Sequence, residues 1–577
     1  MIRRLGQSRG DGCLRRESPK ASDFLWHGTR TPGDAVREAP AFAGTSSSGG
    51  PTGPPLYFSA LPSPQVQFSE LVATSNAVAQ TPGRLKKADL LATCLRQMES
   101  DERAIGARYL ASVVPHKTGI GYATVYEVLG ATTPAQAPYL TLGEVDRRLA
   151  AIAELRGAGS AKARKDLLGA LLALATSAEQ PFLATLLVGE VRHGALDGVV
   201  VEAIAKAADL DAEVVRRAYM LSGDLGEVAA TALDGGAAEI GRFGLTLFRP
   251  VMPMLAQTAD DAEAALASLG GEAALELKLD GFRVQIHKDG DDVRLYSRGL
   301  NDVSAFAPEL VAAARALPAR RVIADGEAIV LGAGGRPLPF QDTMRRFGRK
   351  GLELRDTYPL SLALFDLLLV DDQTLLGEPA RGRFSALAGL AGNLAVPRTI
   401  ARDGATATAF YDAAVAQGHE GVMAKALDAP YDAGNRGASW LKIKRVHRLD
   451  LVVLAAEWGS GRRKGWLSNI HLGARSGDDW IMLGKTFKGM TDDMLRWQTE
   501  QFLAREIDRD GHVVIVKPEI VAEIAFNDVQ RSPRYPGGLA LRLARVVRYR
   551  DDKVAAQADT IDSVRAIAIA AGVLPAV

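Results

Sequence analysis

The stretch Leu275-Glu276-Leu277-Lys278-Leu279-Asp280-Gly281-Phe282-Arg283 alternates apolar and charged side chains and then stops at a glycine. On a strand, Glu276, Lys278 and Asp280 share one face and the leucines take the other. A lysine at the mouth of an apolar pocket, with cationic neighbours, can shed its proton and act as a nucleophile. The same pattern also describes a strand with a solvated charged face. Lys-x-Asp-Gly alone is a weak signal, because chance matches are common in a long chain.

Further polar groups follow in order at the ends of strand-like runs. Val293-Arg294-Leu295-Tyr296-Ser297-Arg298 comes after an Asp289-Gly290 hairpin turn and places Arg298 at a strand exit. Asp325 and Glu327 fall on one face of Ile323–Ile329, suited to hydrogen-bonding a ribose or holding Mg²⁺. Phe365 closes an apolar run, where its ring could stack on a base. Glu420 heads Glu420-Gly421-Val422-Met423 and offers a second carboxylate. Trp440-Leu441-Lys442-Ile443-Lys444 aims two lysines one way while Leu441 and Ile443 face a core. Two lysines on one face repel unless an anion lies between them, so a phosphate suits that position.

These groups need elements to carry them. Residues up to about 65 are loop-like, and Gly44–Pro55 is too polar and Gly/Pro-rich to offset its ordering entropy. Val66 precedes the first patterned segment, and a valine codon can start a bacterial chain, so the extension is open to question as native protein. Phe68 to about Gly241 reads as helical, with Leu167, Leu168, Leu171, Leu172 and Leu174 at helical spacing and breaks at Pro115, Pro134 and Gly194. After Pro250-Val251-Met252-Pro253 the pattern becomes α+β to about Arg448. Short strands such as Leu451–Ala456 and Val513–Val516 then predict a small closing β-barrel.

In this order the motifs resemble those of the covalent nucleotidyltransferases, and specifically the ATP-dependent DNA ligases of the archaeal/eukaryotic replicative type, over residues 66 to 565. The resemblance implies a multidomain α and α+β protein. After an extension over 1–65 come a helical DNA-binding domain (66–245), an adenylation domain (246–448) and an OB-fold (449–577). It implies that Lys278 carries AMP, Glu276 binds the adenine edge and Phe365 its face. Arg283 and Arg298 would contact the nucleotide or the DNA 5′-phosphate. Glu327 would hold ribose or metal, Glu420 metal, and Arg436, Lys442 and Lys444 the phosphates. ATP and Mg²⁺ are the implied cofactors. Nicked duplex DNA is the implied partner, in replication, repair and recombination. A monomer in the bacterial cytoplasm is expected, with a sliding clamp or repair protein not readable from the sequence. Gly189-Glu190-Val191-Arg192-His193-Gly194-Ala195-Leu196 is similar to the family's DNA-gripping element, though a plain helix–turn–helix unit gives the same pattern. In the last motif, Leu541–Lys553, Leu543-Ala544 stands where the family usually has Phe-Pro.

Composition narrows the alternatives. The net charge is +1, so any nucleic-acid surface must be local; Arg531–Lys553 holds seven basic residues against two acidic ones. Two cysteines cannot build the zinc module of the NAD-dependent ligases. No apolar run reaches the ~18 residues of a membrane span, and Met1–Lys20 lacks the apolar core of a secretory signal. An RNA ligase or capping guanylyltransferase shares the Lys-x-Asp-Gly core, but the long helical region ahead of it favours a DNA ligase. A non-catalytic end-binding relic would be expected to have lost Lys278 or a carboxylate.

Overall fold

Leu142, Val145, Leu149 and Ile152 recur at three- and four-residue spacing and are the buried stripe of the helix Leu142–Glu154. Thr141 caps that helix, its hydroxyl accepting from the Glu144 N–H at 3.2 Å. The computed structural model describes residues 67–575 except 196, 333–334, 349 and 433–437. The extension over 1–65, the Val66 start and Arg436 lie outside the described residues. Ten helical segments run from Phe68 to Ile240 among the described residues. Their stripes meet in one core that includes Phe68, Leu91, Tyr109, Leu149 and Leu183. In the helix Ser160–Leu174, Leu168, Leu171 and Leu172 are buried, while Leu167 turns to solvent.

The middle of the chain forms two five-stranded sheets. Its strands are β1 (Gln257–Thr258), β2 (Ala273–Lys278), β3 (Phe282–Asp289), β4 (Asp292–Ser297), β5 (Arg321–Val330), β6 (Leu360–Val370), β7 (Gln373–Thr374), β8 (Arg398–Ala401), β9 (Gly421–Lys425) and β10 (Trp440–Lys444). One sheet has the order β1-β10-β9-β2-β8 and the other β4-β3-β5-β6-β7. Lys278 ends a strand of the first and Phe282 begins a strand of the second, so Asp280-Gly281 crosses between them. Gly281 is required there: a Cβ would come within 2.3 Å of the Ala328 carbonyl on β5.

Asp366 on β6 and Arg383 form an ion pair with neither side chain exposed. Arg383 donates from Nε to Asp366 at 2.8 Å and also reaches the carbonyls of Glu378 and Ala429. Breaking a pair of this kind strands a charge away from water, so Asp366→Asn is expected to cost ~3–5 kcal/mol. Denaturant melts of the two chains would measure it; a loss under ~1 kcal/mol would mean that water reaches the pair.

The C-terminal part is a curled sheet. Its strands are β11 (His447–Trp458), β12 (Leu467–Ser476), β13 (Asp479–Thr486), β14 (Glu506–Asp510), β15 (Val513–Val516), β16 (Val521–Phe526), β17 (Asp528–Arg531), β18 (Leu539–Arg542) and β19 (Arg545–Tyr549). β13-β12-β11-β15-β14 run in order, β16 joins β11 to β19, and β17–β18 is a separate hairpin. The small barrel expected over this part of the chain is a curled half-barrel sheet plus a hairpin among the described residues. Register shifts within β11 at Val453/Ala455 and Glu457/Trp458 bend that strand. Leu543-Ala544 links the hairpin to β19. Leu543 takes φ 57° and is half exposed, and the Ala544 carbonyl accepts from the Thr486 hydroxyl at 2.6 Å. Those two residues make a turn here, at a conformational cost of ~1–2 kcal/mol for a leucine. Among the described residues no helix is long and apolar enough to cross a membrane.

Candidate active site

Strand register brings the reactive groups together. Lys278 on β2 and Lys444 on β10 both lie opposite Gly421 of β9. Glu420, one residue before Gly421, is thereby set between them. Its carboxylate contacts Lys278 Nζ at 2.6 Å and also pairs with Lys444. Gly421 has φ 148°, and a Cβ would come within 2.0 Å of the Ile443 carbonyl, so only glycine lets the three strands approach so closely. Burial would push the Glu420 carboxyl up, but the two lysines override it and hold the group down at about 2. Lys442 donates to the Ala256 carbonyl at 3.1 Å, while Leu441 and Ile443 enter the core as the alternation predicts.

Glu327 lies low in the same site. Burial pushes its carboxyl up to about 7, with Lys278 and Arg283 pulling it back. A carboxyl raised from 4.5 to about 7 binds more protons folded than unfolded, so stability falls as pH rises through that window and is level above it. Glu327→Gln removes this term: between pH 4.5 and 8, wild type is expected to lose about 2–3 kcal/mol relative to the variant. Denaturant midpoints at the two pH values would read it, and parallel changes in both chains would refute it.

Asp325, expected beside Glu327 as a ribose or metal group, is occupied by protein. It is buried, pairs with Arg283 at 2.7 Å, and accepts from the Tyr431 hydroxyl at 2.5 Å and the Gln285 amide at 3.1 Å. Arg283 also donates to the Met254 carbonyl at 2.7 Å, and its buried Nε has no hydrogen-bond partner among the described residues. Its guanidinium sits 5.2 Å from the Phe365 ring centroid. Phe365 meets Trp440 edge-on, with centroids 6.0 Å apart. Arg298 stands apart, exposed just beyond the end of β4.

Glu276 is not on a solvated face; it is 2% exposed and ion-paired to Arg398 and Lys425. Neither cation was picked out from the sequence. The available signal was a charge at an alternating position in each of two apolar strands. Burial pulls the Lys425 amine down from its ordinary value, against the pull of Glu276 and Asp366.

The β17–β18 hairpin reaches into the site through Arg542, which pairs with Asp280 and lies 4.3 Å from the Phe340 ring centroid. Arg531 pairs with Asp342 at 3.2 Å, and its backbone exchanges hydrogen bonds with the Gln341 amide. Two further cations of the last motif are taken up by protein: Arg550 and Lys553 hold Asp450 at 2.9 and 2.5 Å. A cavity of about 440 Å³ remains beside the site, lined by Asp280, Glu420, His419, Arg445 and Arg542 among others.

In the helical part, His193 fixes the Gly189–Ala195 turn. Nε2 donates to the Leu110 carbonyl at 2.8 Å and Nδ1 accepts from the Ala195 N–H at 3.0 Å, which makes the ring neutral. Lys87 donates to the His193 carbonyl at 2.7 Å, and the helix Asp197–Ala208 follows.

Three family models match this chain: the ATP dependent DNA ligase domain over residues 253–444, the ATP dependent DNA ligase C terminal region over 463–553, and the DNA ligase N terminus over 122–205. A Probable DNA ligase of Anaeromyxobacter sp. (strain Fw109-5) is 56% identical over 509 residues, covering 87% of this chain and 98% of its own. A Probable DNA ligase of Mycobacterium sp. (strain KMS) is 52% identical over 515 residues, covering 86% and 98%. The solved structure Pmar-Lig_PreS3 shares the fold, with a TM-score of 0.56 at 18% identity over 83% of this chain and 99% of its own.

Proposed function

The chain belongs to the ATP-dependent DNA ligases, which use ATP to seal nicks in duplex DNA, and from that membership we propose how its residues carry the reaction. The Lys278 Nζ lone pair attacks the α-phosphorus of ATP. A P–N bond forms, the bond to the bridging oxygen breaks, pyrophosphate leaves with that electron pair, and the lysine proton passes to solvent. An oxygen of the nick's 5′-phosphate then attacks the AMP phosphorus, the P–N bond breaks, and the Lys278 amine leaves with that electron pair and takes up a proton. The adjacent 3′-hydroxyl attacks the activated 5′-phosphorus, its proton passes to solvent, the bond to the bridging oxygen breaks, AMP leaves with that electron pair, and a phosphodiester remains. Each step crowds negative charge at phosphorus, which a cluster of cations stabilises better than a proton-transfer pair would.

The observation that carries this reading is the register placing Lys278 and Lys444 on either side of Glu420. Glu420, held ionised, orients Nζ. Glu276 and Phe365 take the edge and face of adenine, and Arg283 and Arg298 contact the nucleotide or the DNA 5′-phosphate. Lys442, Lys444 and Arg436 meet the phosphates. Glu327 and Glu420 are two hard carboxylates, and no cluster of three or more potential ligands is present among the described residues. That donor set suits Mg²⁺, which binds through one or two carboxylates and substrate phosphates. Glu327 and Glu420 would hold it, and when bound it offsets negative charge on the phosphates. Arg550 and Lys553 reach the pyrophosphate only after leaving Asp450, so residues 449–577 must move between steps.

Residues 66–245 act as the DNA-binding domain, with the turn pinned by His193 set against phosphates through the following helix N-terminus. Residues 246–448 are the adenylation domain. The protein works as a monomer in bacterial replication, repair and recombination. Sealing of a 5′-phosphorylated nick is expected with ATP and Mg²⁺ but not with GTP or excess chelator, while a pre-adenylated nick is sealed without ATP. GTP-dependent transfer to an RNA end would overturn the reading.

A further inference from the structure

Glu276 has both carboxylate oxygens engaged by cations. Arg398, directly opposite on β8, donates to Oε1 from Nε at 2.8 Å and also from Nη2, and Lys425 Nζ pairs with Oε2 at 2.5 Å. Both cations also donate to the Phe365 carbonyl, at 3.4 and 3.2 Å. Lys425 is 1% exposed and lies 4.3, 4.8 and 5.3 Å from the ring centroids of Trp440, Phe365 and Phe384. Arg398 covers the Phe384 ring at 3.6 Å.

A lysine sealed among three rings cannot reach a phosphate, so its work is local. With a cation on each oxygen the carboxylate plane is fixed, and the remaining lone pairs can only accept. Adenine presents a donor amine at C6, whereas guanine presents a carbonyl there. We propose that Arg398 and Lys425 are positioning residues for base specificity, clamping Glu276 and Phe365 into one unit that accepts the adenine amine and rejects the guanine carbonyl. This rests on the reading that Glu276 and Phe365 take the base. A site built around one hydrogen bond rejects the mismatched analogue by up to ~10⁴–10⁵-fold.

The test is initial-rate transfer of label from α-phosphate-labelled ATP and GTP, with Mg²⁺, to the full chain and to Lys425→Met, Lys425→Arg, Arg398→Gln and Glu276→Gln. Lys425→Met and Arg398→Gln are expected to raise the KM for ATP more than they lower kcat. They should shrink the ATP:GTP ratio of kcat/KM on the order of 10–100-fold. Lys425→Arg restores most of the preference, because it returns a cation to the same place. If Glu276→Gln shrinks the ratio while Lys425→Met and Arg398→Gln leave it intact, the clamp is wrong and the base reading stands. If Glu276→Gln leaves the ratio intact, Glu276 does not read the base and both fall together. Should Lys425→Met fail to fold by thermal melting, Lys425→Arg and Arg398→Gln decide the matter.

Discussion

Lys278→Arg is expected to abolish covalent labelling by ATP and to lower nick sealing by on the order of 10⁴-fold or more. Arginine keeps a positive charge beside Glu420 and much of the side-chain length, so the ion pair and the fold are retained. It cannot give up its proton in a protein, so no lone pair is available to attack phosphorus. The loss should fall on the first step. A nick that already carries AMP on its 5′-phosphate bypasses the lysine nucleophile, and single-turnover sealing of it should fall far less. Equal loss on both substrates would mean that Lys278 serves binding or the last step, and that another group takes the AMP.

Glu420→Gln carries the second largest effect. The side chain keeps its shape but leaves Lys278 and Lys444 facing each other at 19 and 20% exposure, with no anion between them. Removing one partner of a buried pair costs ~3–5 kcal/mol; for these partly wetted lysines about 2–3 kcal/mol is expected. Sealing should drop by roughly 10²–10³-fold, because both the aim of Nζ and a metal-binding oxygen are lost. The pH dependence has a definite sign. The Glu420 carboxyl is held at about 2, below its ordinary 4.5, because Lys278 and Lys444 outweigh its burial. Its contribution is therefore full above pH 4.5 and is lost as pH falls through about 2. Denaturant midpoints of wild type and variant should converge over that range. A gap that persists unchanged under acid would place the stabilisation elsewhere.

The alternating stretches were legible in the sequence because period-two patterning is local. Leu441 and Ile443 enter the core as their strand positions imply, while Lys278, Glu420 and Lys444 converge. Their convergence depends on register, which no local pattern states; it became visible only when Gly421 was found opposite both lysines. Asp325 read as a ligand because it shares a face with Glu327, yet Tyr431, 106 positions away, consumes it. Glu276 read as a base-binding group, but its partners Arg398 and Lys425 were not legible because they lie far along the chain. The small barrel was legible from its short alternating strands, but its strand order was not, because strand patterning does not report which strands pair. Arg550 and Lys553 count toward the local basic excess, but Asp450 neutralises them in this conformation.

The most direct test of the central claim is to locate the covalent AMP. The full chain, first discharged with pyrophosphate, is incubated with α-phosphate-labelled ATP and Mg²⁺, digested, and the modified peptide sequenced by mass spectrometry. One AMP on Lys278, released on addition of nicked duplex DNA, is the expected result. No label on a folded chain, or label on Lys442 or Lys444 instead, would contradict it.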